Sequence, residues 1–276
     1  MPIVAVMTLL AHDLDSPYLL ERSQIERFQR DGHITLRDVL PPATLASYAQ
    51  RITELVTARF HHEPLATRGT YGKAFQQIMN LWTVDAVARE FVFSPRLARL
   101  AAELMGVAGV RLYHDQALYK EPSGGFTPWH CDQRYWPLAS GKACTAWIPF
   151  QDVPLAMGPL SFAVGSHRAD FGRDQVIGDD SERIIAKRVS DLPMVEEAFD
   201  LGAVSFHYGW TFHRAPPNTT TTLRQVMTII YMDQDMRLAE PTSREQESDW
   251  RSWCPGARIG EVIDTPLNPL LYSAPA

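Results

Sequence analysis

The chain has 276 residues, of which 45% are hydrophobic and 21% charged, and its formal net charge at pH 7 is −6. This composition is that of an ordinary globular protein, and the length suffices to bury a core without disulfides. The acidic balance and the lack of any lysine- or arginine-rich run argue against a nucleic-acid surface and a polybasic membrane anchor.

The three cysteines, Cys131, Cys144 and Cys254, contain no CxxC pair and cannot all be paired with one another. Reduced thiols in a cytoplasmic protein are the simplest interpretation. The apolar run 2–11 lacks a positively charged start and is too short to span a bilayer, so the sequence predicts neither a signal peptide nor a membrane anchor. We expect a cytoplasmic monomer or homodimer that acts on a small molecule.

The first quarter of the chain is predicted to be helical. Ser23 and Glu26 have capping-box spacing, and Asp31-Gly32 supplies a stop. Residues 33–40 then alternate like a strand.

Two further helices are predicted before residue 107. The first follows Pro41-Pro42 and carries an apolar stripe on one face, formed by Leu45, Tyr48, Ile52 and Leu55. The second has Ser94 as N-cap, Pro95 at its first position and Gly106 at its end.

From residue 109 the hydrophobic period changes, and short strands bounded by glycine and proline are predicted at 110–120, 144–153, 160–165, 202–209 and 223–233. Strands at this spacing are typical of a sandwich or barrel. The charged residues 169–200 are predicted to form an insertion or long loop. We therefore expect one domain, with a helical layer at about 20–106, a β core at about 107–235 and a tail at 236–276.

A possible metal site lies in the stretch TPWHCDQRYWP, residues 127–137, where His130 and Asp132 are two positions apart. Residues two apart share a face in a strand, whereas in a helix they diverge by about 200°. Pro128 and Pro137 disfavour a helix interior, so both side chains can reach one ion. His61-His62-Glu63 has the same spacing, but it ends a helical pattern and is interpreted as an exposed helix end.

One imidazole and one carboxylate leave a metal site incomplete. A second histidine would give the triad that occupies one face of octahedral iron(II) and leaves three positions open. The candidates are His167, His207 and His213.

The segment that contains two of these histidines resembles the phytanoyl-CoA dioxygenase family of iron(II)- and 2-oxoglutarate-dependent oxygenases. The matching positions are Gly202, Phe206-His207, Gly209, His213, Pro217-Asn218, Arg224 and Tyr231. Trp129 to Asp132, residues 158–168 and the C-terminal tail are also similar to family segments, so the resemblance runs from about residue 24 to 271. It implies a mainly β fold, a double-stranded β-helix (jelly roll, cupin-like) with a supporting helical layer.

The resemblance also implies roles for individual residues. His130, Asp132 and His213 would bind iron(II), whereas His207 would be a strand residue. Arg224 would hold the distal carboxylate of 2-oxoglutarate, since a guanidinium pairs a carboxylate through two parallel hydrogen bonds.

Gln116 and Trp147, and by a looser resemblance Gln77, are expected near the cosubstrate. Ala215 stands where many family members carry a serine that can bond the cosubstrate, so Arg224 is expected to do more of the holding. The cofactors implied are iron(II), 2-oxoglutarate and O2.

Substrate contacts are expected from Tyr135, Trp136, Trp210 and Asn80, with Tyr71 and Trp82 also near the mouth. The aromatic residues of this group indicate an apolar small molecule. The sequence shows no basic cluster of the kind that a CoA thioester would favour. Related halogenating enzymes lack the carboxylate ligand. Asp132 therefore implies hydroxylation or a related epimerisation, desaturation or cyclisation, in secondary-metabolite tailoring.

Two other interpretations remain open from the sequence. One is a zinc- or manganese-dependent cupin-like enzyme that does not use 2-oxoglutarate. The other is a catalytically inactive barrel that acts as a binding module.

Overall fold

The computed structural model describes residues 13–60 and 64–275. The apolar run 2–11 and the segment His61-His62-Glu63 lie outside the described residues. None of the helices in the described part is both long enough and apolar enough to cross a membrane.

The described residues form seven α-helices and eleven β-strands. The helices are α1 (Arg22–Asp31), α2 (Pro42–Arg59), α3 (Thr70–Ala74), α4 (Ala86–Val92), α5 (Pro95–Met105), α6 (Asp179–Val189) and α7 (Arg244–Trp253). The strands are β1 (His33–Leu36), β2 (Gln76–Met79), β3 (Gly109–Tyr119), β4 (Thr127–His130), β5 (Ala143–Pro149), β6 (Ser161–Ala163), β7 (Met194–Glu196), β8 (Val204–Tyr208), β9 (His213–Ala215), β10 (Val226–Asp233) and β11 (Leu270–Ser273).

The strands form two antiparallel sheets. The larger has the order β1-β8-β5-β10-β3-β11, with β2 beside the far half of β3, and the smaller has the order β4-β9-β6-β7. Side chains from both sheets line one cavity. The predicted double-stranded β-helix with a helical layer is confirmed.

The two faces of the larger sheet have different roles, and β5 shows this most simply. Cys144, Ala146 and Ile148 pack in the main hydrophobic core, which also contains the buried side chains of α2, α4 and α5. Thr145 and Trp147 face the cavity. The side-chain period of two in a strand therefore supports the sheet on one face and builds the site on the other.

The predicted helix signals hold with one correction. The stripe of α2 is buried, the Ser94 hydroxyl accepts from the Leu97 amide, and Gly106 ends α5 in the left-handed region at φ 66°. The N-cap of α1, however, is Glu21, which forms the capping box with Gln24. The Ser23–Glu26 assignment was therefore wrong by two residues.

Residues 169–200 were predicted to form an insertion or a long loop, and the loop alternative was wrong, because this segment contains α6 and β7. Ile185 and Val189 of α6 are buried in the cluster that includes Trp129 of β4. Glu182 of the same helix accepts from the Trp129 amide at 2.8 Å and from Arg214 at 3.2 Å. Glu182 thereby links β4 to β9. The many charged residues on the outer face of this helix make its short apolar stripe hard to recognise in the sequence.

His33 on β1 gives the fold a predicted acid sensitivity. Its ring stacks on Phe162 with centroids 4.4 Å apart, and within the described residues neither ring nitrogen has a hydrogen-bond partner. Burial, reinforced by the charge of His207, lowers the pKa of His33 to about 4.

Below pH 6.5 the unfolded chain protonates this histidine while the folded protein does not, so wild-type stability falls as the pH drops towards 4. We expect the free energy of unfolding of the wild type, relative to His33→Phe, to fall by about 3 kcal/mol between pH 7 and pH 4. Urea unfolding of both proteins across this range measures the difference. A difference that does not change with pH would contradict the prediction.

Candidate metal centre and cosubstrate cavity

Three predicted ligands converge in the structure. The ligand atoms of His130, Asp132 and His213 all lie within 4.8 Å of one another. His130 ends β4 and lies opposite His213 of β9, and the extended residue Cys131 carries the chain to Asp132 at the start of a 3-10 turn. Asp132 Oδ1 is 3.6 Å from His130 Nε2 and 3.7 Å from His213 Nε2.

Backbone carbonyls set the orientation of both imidazoles. His130 Nδ1 is 2.8 Å from the carbonyl of Pro128, and His213 Nδ1 is 3.0 Å from that of Thr211. A carbonyl can only accept, so Nδ1 carries the proton and Nε2 presents a lone pair to the shared position. Burial holds the pKa of His213 well below its ordinary value, which keeps the metal-binding neutral form.

The carboxylate of Asp132 is held through its other oxygen. Thr145 donates to Oδ2 at 2.8 Å, and His207 Nε2 lies 3.2 Å from the same atom. Burial alone would raise the pKa of Asp132, but the neighbouring histidines, His213 first, hold it well below its ordinary range. The arrangement suits a divalent cation bound through Oδ1.

His207 was predicted as a strand residue, and it lies on β8. Its contact with Asp132 was missed, because cross-strand distance is not visible in sequence.

We expect His207→Phe to weaken iron(II) binding about tenfold by freeing the carboxylate to turn. His207→Gln, which keeps a donor, should recover most of the loss. An anaerobic iron(II) titration of the three proteins measures this, and equal affinities would contradict it.

The triad opens into a cavity of about 470 Å³. Arg224, Thr127, Trp147 and Ala215 line the cavity, and the part that they line is called the Arg224 end. The aromatic residues Tyr135 and Trp136 line it as well.

Arg224 is buried to 2% exposure. Its backbone pairs with Lys120, its Nη1 donates to the Gly158 carbonyl, and its guanidinium carbon is 5.4 Å from the Trp147 ring centroid. Within the described residues its Nε has no partner and no carboxylate pairs with it. Burial lowers the pKa of Arg224 to about 9, so it remains charged at neutral pH. A buried cation without a counter-ion is costly, and a bound anion would remove that cost.

Lys120 lies behind this end of the cavity and is fully buried. Its Nζ lies 3.0 Å from the Gly125 carbonyl, 2.8 Å from the Pro216 carbonyl and 3.4 Å from the Thr127 hydroxyl. Burial and the charge of Arg224 lower the pKa of Lys120 to about 6. The Thr127 hydroxyl thus lies beside both this nitrogen and the cavity.

Thr127 was not predicted as a site residue. By strict alternation it would point away from His130, but the register of β4 shifts between these two residues and both line the cavity.

Gln116 of β3 lines the cavity as predicted. Its Oε1 accepts from Gln77, whose own Oε1 accepts from the Tyr71 hydroxyl at 3.1 Å. This series of hydrogen bonds leaves the amide NH2 of Gln116 free to donate into the cavity.

Two predicted substrate residues lie elsewhere, since neither Asn80 nor Trp210 lines the cavity. The Asn80 side chain accepts from the Asp115 amide at 3.2 Å. Trp210 stacks under the Arg173 guanidinium at 4.5 Å. Trp82 is also absent from the lining and packs on Phe93.

Comparison with known proteins gives a consistent result. The model of the phytanoyl-CoA dioxygenase family matches residues 28–226. A curated relative, 1-deoxypentalenic acid 11-beta-hydroxylase of Streptomyces exfoliatus, is 23% identical over 92% of this chain and 95% of its own.

Two similar solved structures come from nogalamycin biosynthesis. The non-heme alpha-ketoglutarate-dependent carbocyclase SnoK has a TM-score of 0.76 at 24% identity, covering 92% of this chain and 99% of its own. The epimerase SnoN, in complex with Fe3+, alpha ketoglutarate and nogalamycin RO, has a TM-score of 0.74 at 24% identity, covering 91% and 98%. These likenesses show the fold. Since the family model covers well over half of the chain, the protein belongs to the phytanoyl-CoA dioxygenase family.

Proposed function

We propose that the protein is an iron(II)- and 2-oxoglutarate-dependent dioxygenase that oxidises an unactivated C–H bond of an apolar small molecule in secondary-metabolite tailoring. One observation carries this proposal. A two-histidine, one-carboxylate cluster opens into the same cavity as a buried guanidinium that has no acidic partner.

His130, Asp132 and His213 would hold iron(II) on one face and leave the remaining positions for cosubstrate and oxygen. When bound, the iron supplies O2 activation coupled to oxidative decarboxylation of 2-oxoglutarate. The protein's part is to orient the ligand imidazoles through the carbonyls of Pro128 and Thr211.

Arg224 would bind the distal carboxylate of 2-oxoglutarate. The Thr127 hydroxyl would donate to the same carboxylate, and Trp147 would pack against the carbon chain of the cosubstrate. Gln116 would donate its amide to an oxygen of the cosubstrate. Ala215 offers no hydroxyl, so recognition of that carboxylate would depend mainly on Arg224. A neutral or shorter ligand would leave the guanidinium unpaired, which supports a diacid as cosubstrate.

Asp132 occupies the position whose loss would open the metal to a halide, which supports an oxidative outcome. That outcome is hydroxylation, or a related epimerisation, cyclisation or desaturation. The similar proteins named above include a hydroxylase, a carbocyclase and an epimerase.

The test is an oxygen-uptake and succinate-release assay with iron(II), across a panel of apolar metabolites, with and without 2-oxoglutarate. We expect succinate only when both iron(II) and 2-oxoglutarate are present, and more of it when the substrate is added. Turnover without 2-oxoglutarate would support the cupin-like alternative. A protein that does not bind iron(II) would support the binding-module alternative.

We also infer that the helical layer at about 20–106, the core at 107–235 and the tail at 236–276 work as one domain. The helices and the larger sheet share one hydrophobic core, which supports a single domain. A cytoplasmic monomer or homodimer is the corresponding expectation for the cell.

A further inference from the structure

The wall of the cavity away from Arg224 contains an acid that the proposed chemistry does not use. Among the described residues, three charged side chains other than histidine line the cavity: Asp132, Arg224 and Asp249. Asp132 faces the metal position and Arg224 the cosubstrate end. Asp249 of α7 is therefore the charge that remains for the substrate.

The position of Asp249 follows from the direction of β3. Lys120, just past the end of this strand, adjoins Arg224, whereas the Tyr113 hydroxyl donates to Asp249 Oδ2. Seven residues of extended chain span about 23 Å, so the acid and the guanidinium lie at opposite ends of the cavity. His114 lies opposite Ile230, which lies opposite Thr145, the residue that bonds Asp132. The wall that carries Asp249 is thus about two strand spacings, roughly 10 Å, from the metal ligands.

The surroundings of Asp249 are aromatic and contain no basic partner. Tyr113 and Trp253 donate to the carboxylate, and among the described residues no lysine or arginine pairs with it. Trp136 packs on Tyr113 with centroids 5.4 Å apart, and His114 packs on Trp253 at 5.5 Å. His114 is 2% exposed, and its Nδ1 has no hydrogen-bond partner in the described part of the chain. Burial raises the pKa of Asp249 to about 7 against the opposing effect of its two donors.

Asp249 also lies where the cavity meets the outside. Together with Tyr135 it lines both the cavity and an open depression along α7, which also includes Arg244, Ser248 and Ser252. A substrate too long for the cavity can therefore pass this carboxylate and extend along the helix.

We propose that Asp249 and the aromatic residues around it form a substrate subsite that selects a hydrogen-bond-donating group, a hydroxyl or a protonated amine, on an otherwise apolar ring system, and that it rejects anionic substrates. The inference rests on the proposed function, because it needs the cavity to be a substrate site. A hydroxyl or an ammonium satisfies a carboxylate that has no cation, and the aromatic faces add an attraction for the ammonium. Above pH 7, where Asp249 is ionised, a carboxylate or phosphate would instead meet a like charge, and no lysine or arginine of the described residues pairs with Asp249 to offset it.

The experiment compares four matched probes: 2-(aminomethyl)naphthalene, 2-(hydroxymethyl)naphthalene, 2-methylnaphthalene and 2-naphthoate. Binding is measured anaerobically by calorimetry, with the protein loaded with iron(II) and 2-oxoglutarate. We expect the amine or the alcohol, or both, to bind about tenfold more tightly than the methyl compound, and naphthoate to bind most weakly. A preference for the amine alone identifies basic substrates, and equal binding of amine and alcohol identifies hydroxylated ones.

Asp249→Asn keeps an acceptor for Tyr113 and should remain folded. It should lose any preference for the amine and keep any preference for the alcohol, whereas Asp249→Leu should lose both. The matched control is Glu247→Gln, which removes an exposed charge on the same helix and should leave the ranking unchanged. Tyr113→Phe shows whether the hydrogen bond serves only to tether α7, since it should keep the ranking while lowering the melting temperature.

An amine preference that survives Asp249→Asn, a flat ranking, or naphthoate binding as tightly as the neutral probes would overturn the subsite. The proposed function has a separate readout, the visible charge-transfer absorption that iron(II) and 2-oxoglutarate give together. Its loss with an intact probe ranking would refute the function and leave the subsite standing, and the reverse pattern would refute the subsite alone.

Discussion

Asp132→Ala is expected to abolish turnover and to weaken iron(II) binding by more than about 100-fold. The substitution removes the only carboxylate of the cluster and leaves two neutral imidazoles to hold a doubly charged ion. Anaerobic iron(II) titration and succinate release measure the two effects separately.

Thr145→Val is the matched control, because it keeps the carboxylate and removes one of the two groups that orient its Oδ2. We expect about a tenfold loss of iron affinity from this change. Iron binding by Asp132→Ala as tight as that of the wild type would refute the ligand assignment.

Arg224→Met is expected to raise the KM for 2-oxoglutarate about 100-fold, with iron(II) affinity unchanged. The guanidinium is buried at the cavity end with an unpartnered Nε, so its removal deletes the main recognition of the distal carboxylate. Steady-state kinetics with 2-oxoglutarate varied at saturating iron(II) and substrate gives the KM.

Arg224→Lys keeps the charge but loses the paired hydrogen bonds, so an intermediate KM is expected. Because Arg224 also donates to Gly158, thermal melts of both variants are needed to separate binding from stability. A wild-type KM in a folded Arg224→Met protein would show that the diacid binds elsewhere.

Features set by local spacing were predictable from the sequence. The stripe of α2 and the Ser94 cap follow from helical geometry. His130 and Asp132 could be paired because an extended chain places residues two apart on one side. His213, in contrast, could be chosen over His207 only through the family resemblance. Both histidines are buried, and their ring centroids are 4.5 Å apart.

Features set by contacts between distant segments were not predictable. Thr127 faces the cavity through a register shift, and His207 reaches Asp132 across the space between two sheets. The helix at 179–189 was missed because the charges on its exposed face outnumber the buried Ile185 and Val189. Asn80 was placed in the site by a loose family resemblance and Trp210 by its position on a segment expected near the mouth, and neither argument fixes the direction of a side chain.

The ligand imidazoles are oriented by main-chain carbonyls two residues earlier in the sequence, Pro128 for His130 and Thr211 for His213. Side-chain substitution cannot delete a carbonyl, so this part of the centre tolerates mutation of its neighbours. The rest of the cavity lining, in contrast, includes side chains of β2, β3 and α7, which can be substituted one at a time. The direction of the two imidazoles therefore does not depend on which side chains line the rest of the cavity.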